Sequence, residues 1–112
     1  MKRAWAYVCA SEYTSSRTLS HYCRKIYELG YLPVCPRLQD GQYLVLDSPE
    51  ERSDYAEIVR DKISRCPMLV VCGKDTDISM NAEIGLAQKY GRICTTMQGL
   101  AKAVESGDDL VS

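Results

Sequence analysis

The residues with the clearest capacity for chemistry lie in segment 69–87, which reads LVVCGKDTDISMNAEIGLA. An apolar run is followed there by a polar loop and then by a helical pattern that places Glu83 about one turn inside the helix. The free N–H groups and partial positive charge of a helix N-terminus favour an ionised carboxylate at that position. Because an ionised carboxylate can act as a nucleophile, Glu83 is the candidate catalytic residue. The alternative is that Glu83 is simply one of the acidic residues that are common in first turns.

Other residues of the same segment could contact a ligand. Gly73 would let the backbone approach a ligand closely, or would serve only as a turn. Asp77 and Ser79 could bind ribose hydroxyls or a phosphate, or could cap the helix, and Ser79 shares a helix face with Glu83. Met80 is included as a ligand contact at the helix start, although its spacing also places it on the face toward the sheet.

A second group of candidates follows the first apolar segment of the chain. Ser11, Glu12 and Tyr13 would form the opposite wall of a ligand crevice, where Tyr13 could stack on a base. Arg17, on the next helical turn, could meet a phosphate. Arg37, after the second apolar segment, is a candidate that ranks below these. Solvated loop residues would have the same composition, so ligand binding and simple exposure are both open readings.

Apolar segments and helical patterns alternate along the whole chain. The predicted strands are 4–10, 31–35, 68–72 and 92–96, and helical patterns follow them at 19–30, 48–65, 79–90 and 98–105. This alternation predicts one α/β domain over residues 1–112, a three-layer sandwich in which a four-stranded parallel sheet carries helices on both faces. Right-handed crossovers favour the strand order 2-1-3-4, a flavodoxin- or Rossmann-like sheet.

The predicted strand order determines where a ligand would bind. The chain reverses direction between strands 1 and 3, and small ligands bind at such switch points, outside the carboxyl ends of the strands. Loops 10–16 and 73–79 border that crevice and contain most of the candidates named above. Segment 37–47 could hold a short strand or a helical turn, or act as a lid. Ser48 and Glu51 predict a capping box at the start of the following helix.

Composition and charge argue against several classes of function. The net charge of the 112 residues is −1 and the basic residues are scattered, so we expect no nucleic-acid partner. No apolar run approaches the roughly 20 residues that span a bilayer, so we expect no membrane partner. Residues 1–5 lead directly into the first strand without a signal-peptide pattern, which predicts a cytoplasmic protein.

The cysteine pattern argues against a metal site. The chain has six cysteines, but it contains no Cys-x-x-Cys pair, and His21 is its only histidine. Cys9, Cys35, Cys72 and Cys94 lie in apolar segments, which predicts small core residues in a reducing compartment. The glycines form neither a P-loop nor a dinucleotide fingerprint, so we also expect no cofactor.

The chain resembles the nucleoside 2-deoxyribosyltransferase-like superfamily, and in particular its small members. The resemblance covers most of the chain, and the segments that carry it are 7–8 (YV), 30–36 (GYLPVCP), 51–52 (ER), 65–73 and above all 79–87 (SMNAEIGLA). It implies that Glu83 attacks the anomeric carbon of a 2′-deoxynucleoside, giving a covalent deoxyribosyl–enzyme that a second base or water resolves. It also implies that Asp77 lies near the sugar and that the loop after strand 1 holds the base. Ser79 departs from the family, which usually has glycine there.

Three functions follow from this pattern. The first is an enzyme that transfers or hydrolyses the N-glycosidic bond of a (deoxy)nucleoside or nucleotide through Glu83. The alternative is a non-catalytic module of the same fold that senses or sequesters a nucleotide. The third is an interaction protein whose tyrosine-rich surface supports a homo-oligomer. In the first two, the partner is a small-molecule nucleoside or nucleotide.

Overall fold

A four-stranded, fully parallel sheet forms the centre of the protein. In the computed structural model, which describes residues 3–108 and 110, the strands lie in the order β2-β1-β3-β4. Their bounds are β1 Trp5–Cys9, β2 Leu32–Val34, β3 Met68–Val71 and β4 Ile93–Thr96. Each strand falls inside a segment predicted from the sequence, and the predicted order 2-1-3-4 is confirmed.

Helices connect the strands and cover both faces of the sheet. Their bounds are α1 Ser16–Glu28, α2 Pro36–Gln39, α3 Pro49–Arg65, α4 Ile78–Lys89 and α5 Met97–Glu105. A 3₁₀ turn, Asp40–Gln42, follows α2 directly, so segment 37–47 contains helical turns rather than a strand. Buried residues of β1 and β3 alternate between the two faces, as expected for a sheet covered on both sides. The predicted three-layer sandwich is therefore confirmed.

The two halves of the core lie on opposite faces of this sheet. On one face Val8 and Val70 pack with buried residues of α1 and α5. On the other face Tyr7 and Leu69 pack with buried residues of α3 and α4. This register turns alternate residues of β1 toward α4, which is how a tyrosine near the middle of a buried strand comes to face the helix that carries Glu83.

Capping side chains mark the starts of α1, α3 and α4. Ser15 caps α1, and Asp77 caps α4, each by accepting a hydrogen bond from a backbone N–H of the first turn. At α3 Ser48 caps in the same way, but the expected reciprocal capping box does not form. The Glu51 carboxylate instead accepts from the N–H of Val45 at 3.0 Å, which ties the preceding loop to the helix.

The expectation that Cys94 is a core residue was wrong. Cys9, Cys35 and Cys72 are buried as predicted, but Cys94 is exposed. β4 is an edge strand, and Ile93 on the same strand is also exposed. The apolar residues of this strand are therefore not evidence that it is buried.

Two glycines, one in α4 and one in α5, allow the packing of these helices to be tested. A Cβ at Gly85 in α4 would meet no atom within 4 Å, whereas a Cβ at Gly99 in α5 would lie 2.7 Å from the Thr95 hydroxyl oxygen. We expect Gly85→Ala to raise the free energy of unfolding by about 0.8 kcal/mol through helix propensity. Gly99→Ala should lose that gain to the steric conflict and lower stability. Urea denaturation of both variants measures the difference, and equal effects would contradict the described packing of α5.

Candidate functional site

A cavity opens at the carboxyl-terminal edge of the sheet, between the β1–α1 loop, α2, α3 and α4. Its volume is about 310 Å³. Its polar lining residues are Glu12, Arg37, Tyr55, Ser79 and Glu83, and Leu46 adds an apolar side. A narrow extension runs inward along Tyr7 and Cys35. We call this the Glu83 cavity; its position next to β1 and β3 is the predicted switch point of the sheet.

Glu83 borders this cavity with a partly buried carboxylate. The Tyr7 hydroxyl donates a hydrogen bond of 2.7 Å to its Oε2. No lysine, arginine or histidine nitrogen of the described residues lies within 4.0 Å of it, so it is not held in an ion pair. The carboxylate is therefore held by the hydroxyl of Tyr7 and borders the cavity without a cationic partner among the described residues.

The pKa of Glu83 is raised above its ordinary value, chiefly because burial disfavours the charged form. Hydrogen bonding from the Tyr7 hydroxyl and the Cys9 thiol opposes this shift, and the charge of Arg37 opposes it weakly. The sequence analysis expected the helix N-terminus to keep this carboxylate ionised. The dominant effect is instead desolvation by the surrounding core.

Tyr7 is a candidate site residue that the sequence analysis did not identify. It is 2% exposed, and burial together with the neighbouring Glu83 charge raises the pKa of its hydroxyl well above the ordinary value. Tyr7 is therefore a neutral hydrogen-bond donor at any ordinary pH. The available signal was strand alternation, which places Tyr7 and Cys9 on the same side of β1, but an apolar strand gives no reason to single out one aromatic residue.

The carboxylate of Asp77 is used in hydrogen bonds within the protein, so it supports the structure rather than offering a contact to a ligand. Its carboxylate accepts from the N–H of Met80 at 2.9 Å, from the Ser79 hydroxyl at 2.7 Å and from the N–H of Glu12 at 3.3 Å. These contacts, led by the Met80 N–H, lower the pKa of Asp77 to about 2. Of the two interpretations open from the sequence, capping is the one that these contacts support. Asp77 also joins the start of α4 to the β1–α1 loop.

Arg37 holds the same loop from the other side. Its guanidinium donates to the carbonyl oxygen of Ser11 at 2.7 Å and to the carbonyl oxygen of Thr14. The Ser11 hydroxyl in turn accepts from the N–H of Tyr13 at 3.2 Å, and it contributes to the lowered pKa of Asp77. Sequence analysis ranked Arg37, which follows the second strand, below the other candidates; in the structure it lies in the short helix α2.

The predicted site residues divide into three groups. Four of them line the cavity (Glu12, Arg37, Ser79 and Glu83), and two support its walls (Ser11 and Asp77). The others do neither.

Among the remaining candidates, Tyr13 is 85% exposed and Arg17 is exposed on α1. Gly73 adopts a positive φ of 97°, so its glycine is explained by a turn. Met80 was wrong as a ligand contact, because its side chain is 0% exposed in the core between α4 and the sheet. The helical spacing, which placed Met80 on the face toward the sheet, predicted its position correctly.

In residues 3–108 and 110, no three His, Cys, Asp or Glu side chains come together as a metal site would require. Within the same residues, no helix has the length and apolar character needed to cross a membrane.

Comparison with protein families gives one match. A family model described as a domain of unknown function (DUF7768) matches residues 7–97. The matched segment runs from Tyr7 to the first residue of α5, so it includes Arg37, Asp77 and Glu83. No curated protein matches the chain.

The raised pKa of Glu83 makes a prediction about stability. A folded-state pKa above the ordinary value stabilises the fold below that ordinary value, and this contribution is lost as pH rises through the raised pKa. Glu83→Gln removes the buried charge but keeps an acceptor for Tyr7. We expect its melting temperature at pH 8 to exceed that of the unmodified protein, because the amide carries no charge to be desolvated.

The same difference should shrink toward zero near pH 4, where the carboxyl group of the unmodified protein is protonated. Differential scanning calorimetry across this pH range measures it, with Glu57→Gln on the exposed face of α3 as the matched control. A variant that is less stable than the unmodified protein at pH 8 would contradict the described burial of Glu83.

Proposed function

This chain belongs to the DUF7768 family, and we propose that it transfers or hydrolyses the N-glycosidic bond of a (deoxy)nucleoside or nucleotide, with Glu83 as the nucleophile. One observation carries the proposal: a carboxylate that is partly buried, unpaired by any cation within 4.0 Å among the described residues, and open to a cavity of about 310 Å³. Cavities of roughly 300 Å³ and more accept small organic ligands. The proposal includes a relationship between this family and the nucleoside 2-deoxyribosyltransferase-like superfamily.

The proposed reaction has two steps that share one covalent intermediate. In the first, an Oε atom of Glu83 forms a bond to the anomeric carbon of the sugar, and the bond from that carbon to the base nitrogen breaks. The electron pair of that bond leaves with the base, which takes up a proton. In the second, water or another base attacks the anomeric carbon and gives up a proton to the group that protonated the first base, and the bond from that carbon to Glu83 breaks, which releases the carboxylate.

Tyr7 would position the nucleophile. Its hydroxyl holds Oε2 of Glu83 at 2.7 Å, which fixes the orientation of the carboxylate. Because the hydrogen bond stabilises the carboxylate form, it also limits the rise in the pKa of Glu83 that burial causes. More of the enzyme is then in the reactive form at a given pH.

Glu12 would supply the proton to the departing base. Its carboxyl group is the second one that lines the cavity, and its backbone N–H is tied to Asp77, which fixes this part of the loop. A general acid at this position would face the nucleophile across the cavity, as a two-carboxylate mechanism requires.

The proposal is tested by measuring release of free base. The unmodified protein is incubated with common 2′-deoxynucleosides, ribonucleosides and their 5′-monophosphates, and base is quantified by chromatography. Glu83→Gln should lower the rate by at least about a thousandfold, because it removes the nucleophile, whereas Glu57→Gln should leave it unchanged. Intact-mass spectrometry should show the protein heavier by one sugar residue during turnover. Equal base release by Glu83→Gln and the unmodified protein would overturn the mechanism.

The role of Tyr7 makes a separate prediction. Tyr7→Phe removes the donor to Glu83, so the pKa of Glu83 should rise further and the acidic limb of the pH–rate profile should move to higher pH. We expect kcat to fall about tenfold or more, the effect of losing one hydrogen bond to a charged group. Tyr90→Phe, at the opposite end of α4, is the matched control. A lower kcat with an unmoved acidic limb would show that Tyr7 acts only in packing.

A non-catalytic nucleotide-binding module is the second candidate function. The observation that favours it is the raised pKa of Glu83, because a protonated carboxyl group cannot attack but can donate a hydrogen bond to a ligand. Under this alternative, the same nucleotide panel would raise the melting temperature, and no base would be released by the unmodified protein.

A further inference from the structure

Arg37 places a positive charge on the wall of the Glu83 cavity that no carboxylate neutralises directly. The ion pairs of the described residues, defined by a nitrogen–oxygen distance within 4.0 Å, are Arg24–Glu28, Lys62–Asp40 and Arg65–Asp61. Arg37 belongs to none of them. A partly buried guanidinium without a carboxylate partner is uncommon, because burying an uncompensated charge is unfavourable.

The guanidinium is held in place by neutral groups. Two of its N–H groups donate to the carbonyl oxygens of Ser11 and Thr14. A guanidinium has five N–H donors, so these two contacts leave the other N–H groups of this cavity-lining residue available to a ligand. Because these contacts already fix the side chain, a ligand that binds to it loses little additional conformational freedom on binding.

The other charges of the cavity restrict what the ligand can be. Glu12 and Glu83 line the same space and are acceptors of hydrogen bonds when ionised. A ligand that is anionic throughout would be repelled by them, and a ligand without an anion would leave Arg37 unpaired. The complementary ligand carries one anionic group at Arg37 and donors, such as sugar hydroxyls, toward the carboxylates.

We propose that Arg37 is the phosphate-binding residue of this site, so that the ligand is a nucleoside monophosphate rather than a free nucleoside. The identity of the ligand beyond its phosphate rests on the proposed function. Arginine matches phosphate oxygens in a planar, two-bond geometry that no other side chain offers. This assignment moves the phosphate contact from Arg17, the residue that the sequence favoured, to a residue that lines the cavity.

Calorimetric binding tests the assignment in the Glu83→Gln background, which prevents turnover. Common 2′-deoxynucleosides and their 5′-monophosphates are titrated into this protein and into the same protein carrying Arg37→Gln, Arg37→Lys or Arg60→Gln. Arg60 is exposed on α3, so its substitution removes the same charge away from the cavity. A charge-assisted hydrogen-bond pair predicts that monophosphates bind about tenfold to a hundredfold more tightly than nucleosides.

Arg37→Gln should abolish this preference for monophosphates, although loss of its contacts to Ser11 and Thr14 should also weaken nucleoside binding to a smaller extent. Arg37→Lys should retain part of the preference and Arg60→Gln all of it. Raising the salt concentration should weaken the binding of monophosphates but not of nucleosides. Equal affinity for both ligand classes would overturn the proposal. So would an Arg37→Gln variant that weakens both classes equally, because Arg37 would then only organise the loop. Loss of the preference in Arg17→Gln rather than Arg37→Gln would also overturn it.

The base-release assay separates this inference from the proposed function. Arg37-dependent binding of monophosphates without any base release by the unmodified protein would support phosphate recognition and reject the enzyme. Base release at equal catalytic efficiency from nucleosides and their monophosphates would support the enzyme and reject phosphate recognition.

Discussion

The hydrogen bond between the Tyr7 hydroxyl and the Glu83 carboxylate is the contact on which the site depends. It joins the central strand to α4 across the core, and it favours the ionised form of a carboxylate whose pKa is raised by burial. Two opposing effects therefore set the pKa of Glu83: desolvation raises it, and the hydrogen bond lowers it. The chemistry of the cavity follows from this balance, because the same group is a nucleophile when ionised and a hydrogen-bond donor when protonated.

The walls of the cavity are held by polar contacts to the β1–α1 loop. Asp77 binds the N–H of Glu12 from the α4 side, and Arg37 binds the carbonyl oxygens of Ser11 and Thr14 from the α2 side. A short loop that is fixed from two directions can keep a cavity open without a ligand inside it. This explains why Ser11, which the sequence predicted to bind a ligand, has a supporting role: its carbonyl oxygen is already used to fix the wall.

The fold could be predicted from the sequence, whereas the site could be predicted only in part. Alternating apolar and helical segments determine the sheet order, and the position of Glu83 near a helix start marks it without any coordinates. Tyr7 could not be identified in this way and Arg37 was ranked below other candidates, because their roles come from contacts between elements far apart in the chain. Met80 and Cys94 were misjudged for a related reason, since burial depends on which helix covers a face and which strand forms the edge.

The cost of burying Glu83 is itself an argument for function. Glutamine at this position would have nearly the same shape, would still accept the hydrogen bond from Tyr7, and would not require a charge to be desolvated. A purely structural role would therefore be served better by the amide. An unpaired, partly buried carboxylate beside an open cavity, facing an uncompensated guanidinium, is instead the arrangement expected where stability is given up for chemistry or binding.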